Sequence, residues 1–312
     1  MSRVIISGSI AYDRIMDFDG LFGEHFVPEK LHSINLSFQI NRLSIGFGGC
    51  AGNIAYSLAL LGVQSDIIAT VGEDFSKYHS HMLLSGINPQ TIRALEGEMT
   101  SSAYVFTDKA DNQIAAFHMG AGGNPYDSPL DTSGRDFAIV APGCIADMKN
   151  LPELYRTRSL PYFYDPAQAI TALSADDLRA GITGARMLFG SDYEFGLIAQ
   201  KTGWTENMML ERVPTLVVTL GAEGSRIRTR EGEVRVKASP VKDATDPTGA
   251  GDAFRAGFIT GTLCSFSLAD CAKLGSTVAA YTVETYGTQT HKFTIDELKE
   301  RYKKAYGETL AL

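Results

Sequence analysis

The residues best suited to chemistry lie in the run Thr245-Asp246-Pro247-Thr248-Gly249-Ala250-Gly251-Asp252-Ala253-Phe254. Two glycines and an alanine at the start of a long helical pattern leave backbone N–H groups uncovered. A helix N-terminus built from small residues attracts an anion. Pro247 presets a turn just upstream. Asp252 falls in the first helical turn, beside the place of the anion. A carboxylate does not ligate an anion, because like charges repel. Its position suits a general base next to a phosphoryl group under attack. The plainer alternative is that Asp252 complements the helix dipole and the glycines only make a turn.

A second Gly-rich turn, Gly46-Phe47-Gly48-Gly49-Cys50-Ala51-Gly52-Asn53, also opens a helical pattern and places the polar Asn53 in its first turns. Gly48 and Gly49 let backbone approach a small polar ligand. Gly46, Gly48 and Ala51 also fit the dinucleotide pattern G-x-G-x-x-A, with Asp66 about 20 residues on. That alternative needs an acidic residue at the end of the second strand, whereas Asp66 precedes the apolar run Ile67–Val71. Asp13 follows the first apolar run, where α/β sheets place ligand groups. Thr219-Leu220-Gly221-Ala222-Glu223-Gly224 closes another run with two glycines, and Glu194 follows the run ending at Phe189. His79 and His81 are two apart on a helical pattern, share no face and give no metal site. No G-x-x-x-x-G-K-[ST] occurs, which excludes a Walker P-loop.

These residues need elements to hold them. Short apolar runs recur at Val4–Ile6, Ile67–Val71, Phe137–Ala141, Tyr162–Tyr164, Arg186–Phe189 and Thr215–Leu220. They do not alternate, as expected of strands buried on both faces. Helical patterns at Ala51–Leu61, Phe75–Ser85, Ala175–Ile182 and Tyr193–Gln200 lie between them. The alternation predicts a doubly wound, mainly parallel α/β sheet flanked by helices. Residues 31–47 partly alternate, like a half-exposed antiparallel strand pair. Residues 101–118 read as a hairpin turning at Asp108–Asn112. Both are strand-like insertions, and a small β-sheet lid from about 13–48 and 100–119 accounts for them in an otherwise single α/β domain. Gly251–Leu263, Leu268–Glu284 and Thr294–Tyr306 read as C-terminal helices, the last running from acidic to basic as the helix dipole favours.

Composition bounds the function. The chain has 312 residues, 44% hydrophobic and 21% charged, which excludes a disordered chain or a small disulfide scaffold. Its 31 glycines, against a usual share of about 7%, suit tight turns and close ligand approach. A net charge of −8 argues against a general nucleic-acid binder. The four cysteines form no C-x-x-C pair. With no signal-peptide pattern at the N-terminus, they fit a reducing cytoplasm. No apolar stretch is long enough to span a membrane.

The Gly48–Gly49 turn with Asn53, the strand end Thr219-x-Gly221-x-x-Gly224, and Asp246–Asp252 occur in the order seen in the ribokinase (PfkB-type) carbohydrate kinases. The chain resembles that family along nearly its whole length. Within the family it is similar to the bacterial adenosine kinases. That likeness rests on Gly8-Ser9-Ile10-Ala11 with Asp13, Asn35-Leu36-Ser37-Phe38, Ser191-Asp192-Tyr193-Glu194, Lys201-Thr202-Gly203-Trp204, Asp246–Asp252 with Arg255, and Gly287-Thr288-Gln289.

The resemblance implies a ribokinase-like fold and transfer of a phosphoryl group from ATP, with Mg²⁺, to the 5′-hydroxyl of a ribonucleoside, adenosine first. It implies that Asp252 is the base and that the backbone of Gly249, Ala250 and Gly251 forms the anion hole. Ser9, Asp13, Ser37, Gly48, Gly49 and Asn53 would line the substrate side, where Asp13, Gly49 and Asn53 hold ribose hydroxyls. Phe117 would stack on the base and Gln168 would hydrogen-bond its edge. Ser191, Thr219, Gly221, Gly224 and Gly251 would face ATP. Glu194 would support Mg²⁺ through water, with Ser191 standing where the family has Asn. Asp246, Gly287 and Gln289 lie where the family often holds a monovalent cation such as K⁺. Alternatives are another sugar kinase of the family, of ribokinase or fructokinase type, and a non-catalytic ligand-binding regulator. A regulator has no need of a base at Asp252. A homodimer through the lid is expected, with Leu36, Phe38 and Ile40 sharing one strand face and Ser37 and Gln39 on the other.

Overall fold

The structure, a computed structural model, describes residues 3–26, 32–33, 36–110 and 112–312. Strands β1 (Arg3–Ser7), β2 (Ala11–Asp17) and β3 (Arg42–Gly48) precede helix α1 (Cys50–Leu60). Then come β4 (Gln64–Ile68), β5 (Thr70–Gly72), α2 (Ser76–Leu84), β6 (Arg93–Leu95), β7 (Ser101–Thr107) and β8 (Gln113–His118). The middle of the chain holds β9 (Phe137–Val140), α3 (Ile145–Thr157), β10 (Tyr162–Tyr164), α4 (Ala175–Ile182), β11 (Met187–Ser191), α5 (Asp192–Thr202) and α6 (Glu206–Leu210). It ends with β12 (Leu216–Thr219), β13 (Ser225–Arg228), β14 (Glu233–Val236), α7 (Ala250–Leu263), α8 (Leu268–Val283) and α9 (Ile295–Tyr306).

The central sheet has eight strands in the order β14-β13-β12-β11-β10-β9-β1-β4. Pairing is parallel from β12 to β4, and β13 and β14 add an antiparallel edge. Its central strands are largely apolar because successive side chains enter different cores. Val4 and Ile6 pack with α1, α2, α7 and α8 on one face. Ile5 packs with α3, α4, α5 and α6 on the other. Phe163 and its neighbours Tyr162 and Tyr164 divide in the same way. Strand order reverses beside β1, and doubly wound sheets bind ligands at the carboxyl ends of strands at such a point. Among the described residues no helix is long and apolar enough to cross a membrane.

A second sheet of four strands, β3-β2-β7-β8, stands apart from the first. Its register puts Asp13, Ala103 and Phe117 in one cross-strand row. Side chains alternate faces, so these three point to the same side. The hairpin β7–β8 turns where expected, and Asp108 closes it by accepting from the N–H groups of Ala110 and Asn112 at 2.9 Å each. Asp111 in that turn lies outside the described residues.

Some expectations need correction, and two elements were not read from the sequence. Within 31–47, β3 alone is a strand: residues 36–40 are irregular, and Leu31, Ile34 and Asn35 lie outside the described residues. The strand partner of β3 is β2, joined to it antiparallel. β2 went unread because Asp13, Arg14 and Asp17 interrupt its apolar pattern. The run Ile67–Val71 is split: β4 joins the central sheet while β5 pairs with β6. Asp66 sits inside β4, bonded to Arg135 at 2.6 Å. The turn before α1 is fed by an antiparallel strand, so the dinucleotide geometry is not formed. Helix α3 was also unread, because Pro152 lies within it and normally breaks the pattern.

Candidate active site

A cavity of about 410 Å³ opens at the carboxyl ends of β1, β10, β11 and β12, facing the row of Asp13 and Phe117. Two helices begin at it. Gly49 precedes α1 with φ +87°, and Gly249 precedes α7 with φ +78°. Side-chain-bearing residues rarely adopt such angles, so the glycines set both entry turns. The first N–H groups of a helix have no partner inside it, and both starts reach the cavity.

Asp252 lines the cavity from the first turn of α7. One carboxylate oxygen accepts from Asn53 Nδ2 at 2.8 Å, which ties α7 to α1 across 199 residues. Burial pushes the Asp252 carboxyl above its ordinary range, although Arg255, Asn53 and Cys50 pull it down. A carboxylate raised toward neutral pH is a better proton acceptor for an alcohol. Arg255, one helical turn on, is buried and forms a fork with the wholly buried Asp165, its Nη2 donating to Oδ1 at 2.7 Å and its Nε meeting Oδ2. Burial opposes the charge on Arg255, but Asp165, Asp252 and Glu194 outweigh it and raise the group. A fixed cation therefore lies beside the helix start. Just past Asp165, Ala167 holds a positive φ of 34°, strain that places Gln168 at the cavity mouth.

On the small-sheet side, Asp13 lines the cavity, and burial pushes its carboxyl up to about 6, assisted by Asp246. A Cβ at Gly48 would collide with that carboxylate. Phe117 is 56% exposed and also lines the cavity, an apolar ring offered to solvent. Ser9 reaches the cavity while its hydroxyl accepts from Cys50 N at 3.0 Å.

Opposite lie Ser191, Glu194 and Thr219, at the ends of β11 and β12. Ser191 and Glu194 form a capping box at the start of α5: Glu194 N donates to Ser191 Oγ at 3.2 Å, and Ser191 N to Glu194 Oε2 at 2.7 Å. The serine thus does local work that the S-x-x-E spacing itself foretold. Among the described residues no three His, Cys, Asp or Glu converge on a metal position. Mg²⁺ usually keeps several waters and takes one or two carboxylates plus substrate phosphates. Glu194, with Oε1 outside the capping box, fits that part.

Several expected residues stand elsewhere. Ser37 is exposed in irregular chain and does not line the cavity. The N–H of Ala250 closes a turn on Pro247 O at 3.1 Å, so the cavity wall is left to Gly249 and Gly251. Gly221 and Gly224 are not in that wall; the close approach Gly224 permits is to backbone, its Cβ direction pointing at Val236 O. Asp246 accepts from Gly287 N at 3.0 Å, which joins the two segments expected to meet there. Gln289 is 4% exposed and spends its amide on Asn53, Tyr78 and His81. Phe38 packs into a cluster with Phe18, Phe22 and His25, ring centroids 4.9 to 5.3 Å away, and not against the cavity. Cys50, Thr248 and Thr288 line the cavity without having been singled out. Thr248 and Cys50 sat inside the two Gly-rich runs, and that position was their available signal.

The profile of the pfkB family carbohydrate kinases matches residues 3–294. A nucleoside kinase of Methanocaldococcus jannaschii is 32% identical over 307 residues, covering 97% of this chain and 98% of that protein. Its crystal structure superposes with a TM-score of 0.88, covering 97% and 99% of the two chains at 30% identity. The structure of a Burkholderia thailandensis nucleoside kinase in complex with inosine superposes with a TM-score of 0.84 at 36% identity, covering 98% of this chain and 99% of the other. These relatives are described as nucleoside kinases, a broader class than the adenosine kinases expected from the sequence. The matched profile and the fold agree, and the chain belongs to the pfkB family of carbohydrate kinases.

Proposed function

We propose that the protein transfers the γ-phosphoryl group of ATP to the 5′-hydroxyl of a ribonucleoside. The observation that carries this reading is the one cavity in which Asp252, at the start of α7, faces Asp13 and Phe117 of the small sheet. Asp13 and Asn53 would hold the ribose hydroxyls, and Asp252 would take the proton of the 5′-hydroxyl. The N–H groups of Gly249 and Gly251 would receive the phosphoryl oxygens, with the cation of Arg255 behind them. Mg²⁺, bound through the ATP phosphates and through water to Glu194, would neutralise phosphate charge. The small sheet would act as a lid that keeps water from the phosphoryl group. We extend the reading to a monovalent cation beside Asp246 and Gly287, and to the cytoplasm, where the four free cysteines stay reduced. Adenosine is among the proposed acceptors. The Gln168 amide both donates and accepts, so it would serve a 6-oxo purine equally. Phosphorylation assays over nucleosides and free sugars test the proposal.

Phe117 separates nucleosides from sugars in this account. Stacking on an aromatic ring contributes about 1–3 kcal/mol per base. Phe117→Ala is therefore expected to raise KM for adenosine by roughly 10-fold or more, and to leave that for free ribose nearly unchanged. Equal effects on both acceptors would remove Phe117 as the platform.

Asp13 gives the site a pH dependence. It would accept hydroxyl hydrogens when ionised, and burial, assisted by Asp246, pushes its carboxyl up to about 6. Nucleoside affinity is thus expected to fall as pH drops below about 6, approaching tenfold per unit. Calorimetry in an Asp252→Asn background removes the titration of the base. A flat affinity between pH 5 and 8 would contradict this role.

We also propose a homodimer through the lid, by a different face from the expected one. Leu43, Ile45, Tyr104 and Ile114 are exposed and share the side of the small sheet opposite Asp13 and Phe117. Light scattering at micromolar concentration is expected to show a dimer that Leu43→Glu with Ile45→Glu dissociates. A monomeric parent protein would rule it out.

A further inference from the structure

Behind the Asp252–Asn53 contact lies a run of buried amides whose direction is fixed at both ends. At one end the Gly48 carbonyl can only accept, so the Tyr78 hydroxyl donates to it, at 2.7 Å. Tyr78 therefore accepts from Gln289 Nε2, at 2.6 Å. The same Nε2 donates to Asn53 Oδ1 at 3.0 Å. With its oxygen so occupied, Asn53 turns Nδ2 to the Asp252 carboxylate, itself an acceptor. The remaining end of Gln289, Oε1, lies 3.0 Å from His81 Nε2, which must carry the hydrogen. His81 is held by stacking on Phe47, centroids 4.1 Å apart and 8° from parallel. Gly52 makes room for the junction, since a Cβ there would strike the Tyr78 hydroxyl and come 2.9 Å from Gln289 Nε2.

We propose that Gln289 is a positioning residue for the phosphoryl transfer: it fixes the amide of Asn53 so that Asn53 presents a donor to the Asp252 base, and His81 fixes Gln289 in turn. The inference rests on the kinase reading above. On the branch through Asn53 both hydrogens point toward Asp252, from Gln289 to Asn53 and from Asn53 to the carboxylate, so the run steadies one carboxylate oxygen and favours its ionised form. The other groups acting on that carboxylate are Arg255 on its own helix, Cys50 on α1, Glu194 on α5 and the buried Asp165 just past β10. None of these orients Asn53.

The test uses the full chain with Gln289→Met, which keeps size and charge but removes both amide functions. Two readouts apply: kcat and KM for a nucleoside that the parent phosphorylates, and the Asp252 carboxyl titration followed by ¹³C NMR without substrates, assigned against Asp252→Asn. The expected result is a kcat lowered by roughly 10- to 100-fold, the range of a lost hydrogen bond to a charged group, with KM changed less than about threefold. The Asp252 titration is expected to rise by about one pH unit. Gln289→Glu, which can only accept, should lower kcat further, because Asn53 would turn its oxygen toward Asp252. His81→Gln, which keeps a donor, should retain more activity than His81→Leu. An unmoved titration and kcat in folded Gln289→Met, or a rise in KM alone, overturns the proposal. If Gln289→Met does not fold, the order of the two His81 variants decides by the same readouts. A parent protein that phosphorylates nothing would defeat the kinase reading, and the NMR titration would still support or overturn the positioning role.

Discussion

Asp252→Asn is expected to lower turnover by at least about 100-fold, the lower end of what a general base supplies, and to leave nucleoside affinity within a few-fold. The amide keeps the size of the carboxylate at the start of α7 but cannot take the proton of the acceptor hydroxyl. Asn53, which donates to Asp252 at 2.8 Å, can donate equally to an amide oxygen, so the local geometry should survive. Calorimetry for binding and single-turnover assays for chemistry separate the two effects. A variant with near-parental turnover would take Asp252 out of the mechanism.

Arg255→Leu is expected to have the largest effect on the fold. Asp165 is completely buried and Arg255 is 5% exposed, so removing the cation strands a buried carboxylate. Breaking such a pair costs about 3–5 kcal/mol. Replacing both partners with neutral residues, Asp165→Asn with Arg255→Leu, should recover much of that. Burial already pushes Asp165 up to about 6 against the pull of Arg255, and without Arg255 the group rises further. A group raised in the folded state favours folding when protonated, so the deficit should be greatest above the raised value and shrink as pH falls below it. Urea unfolding from pH 5 to 8 measures both. A single variant within about 1 kcal/mol of the parent would show the pair to be dispensable.

The parts of the site that could be read directly were those whose signal is local. Gly49 and Gly249 precede helices, and a glycine before a helical pattern marks a start whose N–H groups face outward. Asp252 and Asn53 followed from their offsets within those helices. The strands that deliver Ser191 and Thr219 were legible because burial on both faces leaves uninterrupted apolar runs. What depended on distant partners was not legible. Gln289 and Asn53 meet across 236 residues, and nothing near either residue announces it. Gly224 looked like a ligand-facing glycine, yet its partner is the backbone of β14, which comes later in the chain. Phe38 and Phe117 read alike as lid aromatics. Only packing distinguishes them, one inside a ring cluster and one half-exposed at the cavity. Ser191 was a different case, because its capping box was fully local and was overlooked in favour of the family pattern.

Phosphoryl transfer to nucleosides stands or falls on one acceptor series. Adenosine, inosine, cytidine, ribose and fructose would each be assayed with ATP and Mg²⁺, with and without K⁺, and products identified by ³¹P NMR. The expected products are 5′-monophosphates, with kcat/KM for a purine nucleoside at least about tenfold above that for ribose, the share of one stacked ring. Ribose or fructose as the better acceptor, or tight nucleoside binding without any transfer, would contradict it.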